Sequence, residues 1–137
     1  MGEVRAKVKL TNALDMMLAR RGQLTSEQVR VYEADALVDT GSVRFVIPVH
    51  VMQNLGLEIL EQQVAEYADG RKEALNVTEP MLVEWQDRKA FEDALVVGDE
   101  VLIGQTLLEK LDVLVDCVNQ RLIPNPAHPD QPVFKIK

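Results

Sequence analysis

The chain has 137 residues, which suffices for one domain with a substantial core but not for two. Its 22 acidic and 15 basic residues give a formal charge of −7, which argues against nucleic acid as a partner because phosphate binding needs a basic face. No apolar run approaches the roughly 20 residues that span a bilayer, and no signal-peptide pattern opens the chain. We therefore expect a single soluble, cytoplasmic domain, residues 1–137, with no membrane partner.

The first third of the chain predicts two strands around an ambiguous segment. Residues 4–10 alternate apolar and charged side chains with the period of two that is typical of a half-buried strand. The segment 12–21 fits either a helix or extended chain, because its apolar residues match a helical stripe only loosely. Thr25 and Gln28 have the spacing of a capping box, which predicts a short helical turn before a second strand within residues 29–38.

The middle of the chain predicts a strand and a helix, followed by two hairpins. Residues 45–47 are a candidate strand, and residues 48–55 a candidate helix that begins with proline and is followed by glycine. Asp69 and Gly70 lie between two further candidate strands and favour a tight turn with positive φ. Alternation within residues 81–97, interrupted by a polar turn, predicts a second hairpin.

The last third predicts more short strands and a second short helix. Its predicted elements are a strand at 101–103 ended by Gly104, a helix at 106–111, paired strands at 113–118 and 121–123, a proline-rich segment at 124–132 without regular structure, and an edge strand at 133–137. The single cysteine, Cys117, falls in an apolar run and predicts a buried, inert thiol. Many short strands with one or two short helices predict a mainly β fold, either a closed β-barrel or a folded sheet.

The tetrapeptide Asp-Thr-Gly-Ser at residues 39–42 follows an apolar strand, so that one carboxylate lies at the tip of that strand. The order of apolar run, glycine and short helix occurs at residues 36–55 and again, approximately, at 101–111. One carboxylate cannot act as acid and base at the same time. The carboxylates of two copies of the chain, related by a two-fold axis, could divide these two roles. Carboxylates about 3 Å apart cannot both ionise and therefore share a proton.

In this order and spacing, the motifs resemble those of the retropepsin-like (clan AA) aspartic proteases, in particular the small bacterial and archaeal single-lobed members. The resemblance covers most of the chain and rests on residues 36–42, 48–57, 67–71, 101–104, 113–116 and 121–126. It implies the acid-protease β fold and an aspartic endopeptidase that works as a homodimer. The viral enzymes place an arginine and then an acidic or amide residue after the second glycine, where this chain has Gln105 and Thr106.

The resemblance also implies a catalytic role for Asp39, Thr40 and Gly41. The Asp39 carboxylates of two subunits would hold a water molecule that attacks the carbonyl of a peptide bond. Thr40 would form a hydrogen bond across the dimer axis, and Gly41 would allow the substrate backbone to approach closely. No residue in this arrangement calls for a cofactor.

By the same resemblance, substrate binding involves Ser42, Ala68, Asp69 and Gly70. Ser42 would support the catalytic carboxylate, and the other three residues would form a flap that closes over an extended polypeptide substrate. The two histidines, His50 and His128, lack a second ligand at metal-site spacing, and we expect no metal.

Two other interpretations of the chain remain open. It could be a catalytically inactive retropepsin-like module that serves dimerisation or peptide binding. It could also be a small β subunit of a larger assembly, in which case Asp39 should be buried and should cap a neighbouring main-chain group.

Overall fold

The computed structural model describes residues 2–137, which form eleven strands, three α-helices and one 3₁₀ turn. The strands are β1 (Arg5–Asn12), β2 (Val31–Val38), β3 (Val46–Ile47), β4 (Ile59–Glu66), β5 (Lys72–Thr78), β6 (Met81–Trp85), β7 (Arg88–Glu92), β8 (Leu95–Val96), β9 (Leu102–Ile103), β10 (Val113–Asp116) and β11 (Arg121–Pro124). The helices are α1 (Ala13–Arg20), α2 (Val49–Leu55) and α3 (Gln105–Leu111), and the 3₁₀ turn is Ser26–Gln28.

Nine strands form one curled sheet in the order β4-β5-β8-β3-β9-β2-β1-β6-β7, and β10 pairs with β11 in a separate hairpin. Most neighbouring strands are antiparallel, but β2 pairs in parallel with β9, and β3 in parallel with β8. The first and last strands of this order are not paired with each other, so the sheet is folded and not closed into a barrel. The expected mainly β fold is therefore confirmed, in its folded-sheet form.

The central strand β1 shows how the alternating pattern builds the core. Ala6 and Leu10 are buried, while Lys7 between them is exposed to solvent. β1 lies between β2 and β6, with Ala6 opposite Ala36 and Leu10 opposite Val83. A fully buried leucine such as Leu10 contributes about 1.5 to 3 kcal/mol relative to its exposed state.

The ambiguous segment after β1 is a helix because its first turn is capped. The Asn12 side chain accepts a hydrogen bond of 3.0 Å from the Asp15 N–H and donates one of 2.8 Å to the Leu55 carbonyl. Asp15 is buried, and hydrogen bonds from the Arg30 side chain lower the pKa of its carboxyl group. The capping box is also present, since Gln28 Oε1 accepts from the main-chain N–H at position 25 at 2.9 Å.

The other two α-helices follow the predicted positions closely. α2 begins after Pro48 and ends at Leu55, and Gly56, which follows it, has a φ of 63°, the left-handed conformation that favours glycine. α3 begins at Gln105, one residue earlier than predicted. Among the helices of residues 2–137, none has the length and apolar character needed to cross a membrane.

Two expectations for the C-terminal region are wrong. Cys117 is exposed, because β10 ends at Asp116 and the chain reverses there. The carboxylate of Asp116 closes this turn by accepting hydrogen bonds from the main-chain N–H and the side-chain amide of Asn119, at 3.2 and 2.9 Å. Residues 133–137 are exposed and form no strand.

Candidate functional site

Asp39 lies directly after β2, at the end of the parallel pair that β2 forms with β9. The register of this pair places Val38 opposite Ile103. The Asp39 N–H donates a hydrogen bond of 2.9 Å to the Ile103 carbonyl and so continues the ladder by one residue. The main chain of Asp39 is therefore held by the sheet, while its side chain enters the loop that follows.

The loop of residues 39–44, which we call the aspartate loop, turns tightly around the Asp39 carboxylate. The Gly41 N–H donates to Asp39 Oδ1 at 3.0 Å, and the Ser42 N–H donates to the Asp39 carbonyl at 3.1 Å. A Cβ atom on Gly41 would lie 3.2 Å from the same Oδ1, so glycine lets the turn approach the carboxylate closely. Asp39 and Ser42 are half-buried and Thr40 is exposed, so the carboxylate group is oriented but not sealed in the core.

The aspartate loop packs against the second glycine motif, at Gly104 directly before α3. A Cβ atom on Gly104 would lie 2.6 Å from the carbonyl oxygens of both Ser42 and Arg44, closer than such atoms can approach. The N–H groups of Gln105 and Thr106 donate to the carbonyls of Ser42 and Val43, at 2.9 and 3.1 Å. The approximate duplication in the sequence therefore has a physical basis, because the second motif binds the loop that follows the first.

Two polar side chains of α3 strengthen this contact. Gln105 Nε2 donates a hydrogen bond of 2.8 Å to the Thr40 carbonyl. Thr106 Oγ1 donates to the Val43 carbonyl at 3.0 Å and also lies 2.8 Å from Oε2 of the buried Glu92. In the sequence, Gln105 is only a difference from the viral pattern, and its role in holding the loop was not predicted. Its position directly after the second glycine was the available signal.

The predicted flap is the hairpin formed by β4 and β5, and its turn has the expected geometry. Gly70 has a φ of 85°, and the Arg71 N–H donates to Asp69 Oδ1 at 2.9 Å. The Tyr67 N–H donates to the Arg71 carbonyl at 2.8 Å and closes the turn. Ala68, Asp69 and Gly70 are all exposed at the tip of the hairpin.

Side chains hold the hairpin tip together. The Tyr67 hydroxyl donates to Glu73 Oε1 at 2.6 Å, and this hydrogen bond raises the pKa of Tyr67. The Arg71 guanidinium lies 4.3 Å from the centroid of the Tyr67 ring, a cation–π contact. The tip is therefore an ordered turn that extends beyond the core.

Arg44 links the aspartate loop to this hairpin, a contact that sequence reasoning also missed. Its Nη2 lies 2.7 Å from Asp93 Oδ1, and its Nη1 donates to the side-chain oxygen of Gln63 on β4. The structure thus brings the residues of the aspartate loop together, and Arg44 connects them to β4 of the β4–β5 hairpin.

The two histidines have contacts of their own. The ring of His50 makes an edge contact with Tyr32, with 6.4 Å between centroids, and His128 Nδ1 lies 2.7 Å from Asp112 Oδ2. Within the described part of the chain, no group of three or more histidine, cysteine, aspartate and glutamate side chains could hold a metal ion.

Comparisons with known proteins add a structural similarity. No family model matches the chain, and no curated protein matches it. Among the matching solved structures is an EIAV protease complexed with the inhibitor HBY-793, which is 18% identical with a TM-score of 0.48. The match covers 58% of this chain and 77% of that one. At this identity and TM-score, the similarity supports no conclusion about activity.

The fold is mainly β, as expected from the sequence, and has three short helices where one or two were expected. A curled β sheet carries three short helices, an aspartate loop at the end of a parallel strand pair and a projecting hairpin. The chemistry must be argued from the residues of the aspartate loop and its neighbours.

Proposed function

We propose that this protein is an aspartic endopeptidase of the retropepsin-like type, with residues 1–137 as one protease domain that acts as a homodimer. The observation that carries the proposal is the geometry of Asp39. Its half-buried carboxylate is oriented by the Gly41 N–H in a loop that α3 holds from the other half of the chain. The loop contains one carboxylate, so an acid–base pair requires the Asp39 of a second copy.

In the proposed reaction, two Asp39 carboxyl groups about 3 Å apart share one proton. The ionised group takes a proton from a water molecule, and the resulting hydroxide adds to the carbon of a peptide carbonyl. The protonated group donates its proton to the carbonyl oxygen, which gives a neutral tetrahedral intermediate. The intermediate then collapses as its C–N bond breaks and a proton passes to the leaving nitrogen, giving a carboxylic acid and an amine.

The other residues have supporting roles in the proposal. Gly41 leaves room for the substrate backbone, and Thr40 reaches its counterpart across the dimer axis. Ser42 holds the loop that carries the carboxylate, because its N–H donates to the Asp39 carbonyl and its hydroxyl to the Arg44 carbonyl. The exposed turn of Ala68, Asp69 and Gly70 closes over an extended polypeptide that binds by strand addition. The proposal includes a cytoplasmic location, where an exposed thiol such as that of Cys117 stays reduced.

The test is cleavage of a diverse peptide library by the purified protein across about pH 3 to 8. Asp39→Asn should abolish cleavage while the fold and the oligomeric state remain those of the wild type. Asp35→Asn is the matched control, because Asp35 is an exposed aspartate on β2, the strand that leads to Asp39. This variant should cleave as the wild type does.

Retention of full cleavage by Asp39→Asn would overturn the catalytic assignment. Absence of cleavage from a well-folded dimer would favour the catalytically inactive dimerisation or peptide-binding module instead. Size-exclusion chromatography with light scattering measures the oligomeric state. A strictly monomeric protein would contradict the proposal, because it cannot form the dyad.

A further inference from the structure

Arg44 connects three parts of the fold. It belongs to the aspartate loop, and its side chain is 26% exposed. One end of its guanidinium binds Asp93, which lies between β7 and β8, and the other end donates to Gln63 on β4. A planar guanidinium can bind two partners at once in a fixed geometry, which an ammonium group cannot do.

The contact with Gln63 lies near the point where β5 of the flap hairpin leaves the core. Gln63 pairs with Leu75 across the hairpin, and Leu75 is the last buried residue of β5 on the way to the tip. Leu75 packs in a small apolar cluster with Val46 of β3 and Leu95 of β8. Beyond the pair of Gln63 and Leu75, β5 residues 72–74 are exposed.

We propose that Arg44 is a positioning residue that couples the β4–β5 hairpin to the aspartate loop. Asp93 holds the guanidinium in place with a charged contact, and the neutral amide of Gln63 is the partner that can separate when the hairpin moves. The consequence for catalysis rests on the proposed function. The proposed coupling itself does not depend on catalysis.

Hydrogen exchange measured by mass spectrometry tests the coupling without any need for activity. Gln63→Met removes the acceptor at nearly constant side-chain size, and amides within residues 64–74 should exchange about five to ten times faster. Arg44→Lys should give a similar increase, because lysine cannot bind both partners. Peptides from β1 should exchange as in the wild type.

Gln62→Met is the matched control for this experiment. Gln62 is the exposed neighbour of Gln63, and its side chain donates to Asn76 Oδ1 within the hairpin at 3.2 Å, without contact to Arg44. Exchange in this variant should stay within about twofold of the wild type. Unchanged exchange in Gln63→Met, or equal acceleration in Gln62→Met, would overturn the proposal. Gln63 is exposed, so its substitution tests the coupling even if Arg44→Lys fails to fold.

Kinetics provide the second measurement. A loosened hairpin should raise KM about fivefold in Gln63→Met and change kcat less than twofold, because Asp39 is untouched. An equal fall in kcat and in kcat/KM would contradict a role in positioning the flap. A protein that cleaves no peptide would refute the proposed function, while hydrogen exchange would still decide whether Arg44 couples the two segments.

Discussion

The side-chain amide of Gln105 donates a hydrogen bond of 2.8 Å to the carbonyl oxygen of Thr40, 65 residues earlier in the chain. The main-chain N–H of Gln105 donates to the Ser42 carbonyl at 2.9 Å. One residue at the start of α3 therefore holds two carbonyl groups of the aspartate loop. We expect the direction of the Asp39 carboxylate to depend on this contact, because the loop is short and only partly buried.

Gln105→Leu should impair catalysis more than stability. The change removes the donor at similar volume, so the free energy of unfolding should fall by about 1 kcal/mol. Displacement of the aspartate loop should lower kcat about tenfold, since small errors in the position of a reacting group are costly. Peptide cleavage and thermal unfolding measure the two effects.

Gln53→Leu is the control for this prediction, because Gln53 is an exposed glutamine on another short helix, α2. It should match the wild type in kcat. Full activity in Gln105→Leu would show that the contact with Thr40 does not orient Asp39.

Arg88 on β7 should be a major contributor to stability. Its side chain is 2% exposed and donates to the carbonyls of Leu111 and Asp112, at 3.3 and 2.7 Å, and to that of His128. Arg88→Met removes the guanidinium donor from all three carbonyls, of which that of Asp112 keeps the Asn125 N–H at 3.0 Å. A buried acceptor left unsatisfied costs about 1 to 3 kcal/mol. We expect a loss of about 3 kcal/mol in the free energy of unfolding, measured with urea.

Lys89, the next residue of β7, is the control for Arg88. Lys89 is exposed, and Lys89→Met should change stability by less than about 0.5 kcal/mol. Equal stability of the two variants would mean that the buried guanidinium does not hold the end of α3 and the tail to the sheet.

Because of Asp112, the free energy of unfolding should decrease at acidic pH. Hydrogen bonds from the Asn125 side chain, the Val133 N–H and His128 lower the pKa of Asp112 from 3.8 to about 2. A carboxylate with a lowered folded-state pKa stabilises the protein above its unfolded-state pKa, and this contribution is lost as pH falls through the folded value. Stability should therefore fall between about pH 4 and pH 2, and Asp112→Asn should reduce that slope.

Urea unfolding at several pH values between about 2 and 6 measures the slope. Asn125→Ala removes the largest cause of the lowered pKa, so its slope should lie between those of the wild type and Asp112→Asn. Part of the slope should remain in every variant, because hydrogen bonds from Arg30 and from Asn119 also lower the pKa values of Asp15 and Asp116. Identical slopes in the wild type and Asp112→Asn would contradict the assignment.

The elements that could be predicted from the sequence are those whose conformation is set by residues a few positions apart in the chain. The alternation in β1 depends on neighbours two residues apart, and both Gly56 and Gly70 have the positive φ expected where they end a helix and form a turn. Asp39 was recognised as a candidate because an apolar strand and a glycine turn surround it within a few residues.

The predictions that were wrong concern burial and strand pairing, which depend on residues distant in the chain. The apolar run around Cys117 predicted burial, but the strand ends at Asp116 and the turn that follows is exposed. Nor could the exposed end of the chain, residues 133–137, be excluded as an edge strand by local pattern alone.

By itself, the sequence determined the mainly β class, the strand that leads into Asp39 and the hairpin that turns at Gly70, because hydrophobic period and glycine conformation act over a few residues. Only the tertiary structure decided that Gln105 holds the Thr40 carbonyl and that Arg44 joins the aspartate loop to the hairpin. Such contacts join residues that are distant in the chain, and they form only when the curled sheet brings its strands together.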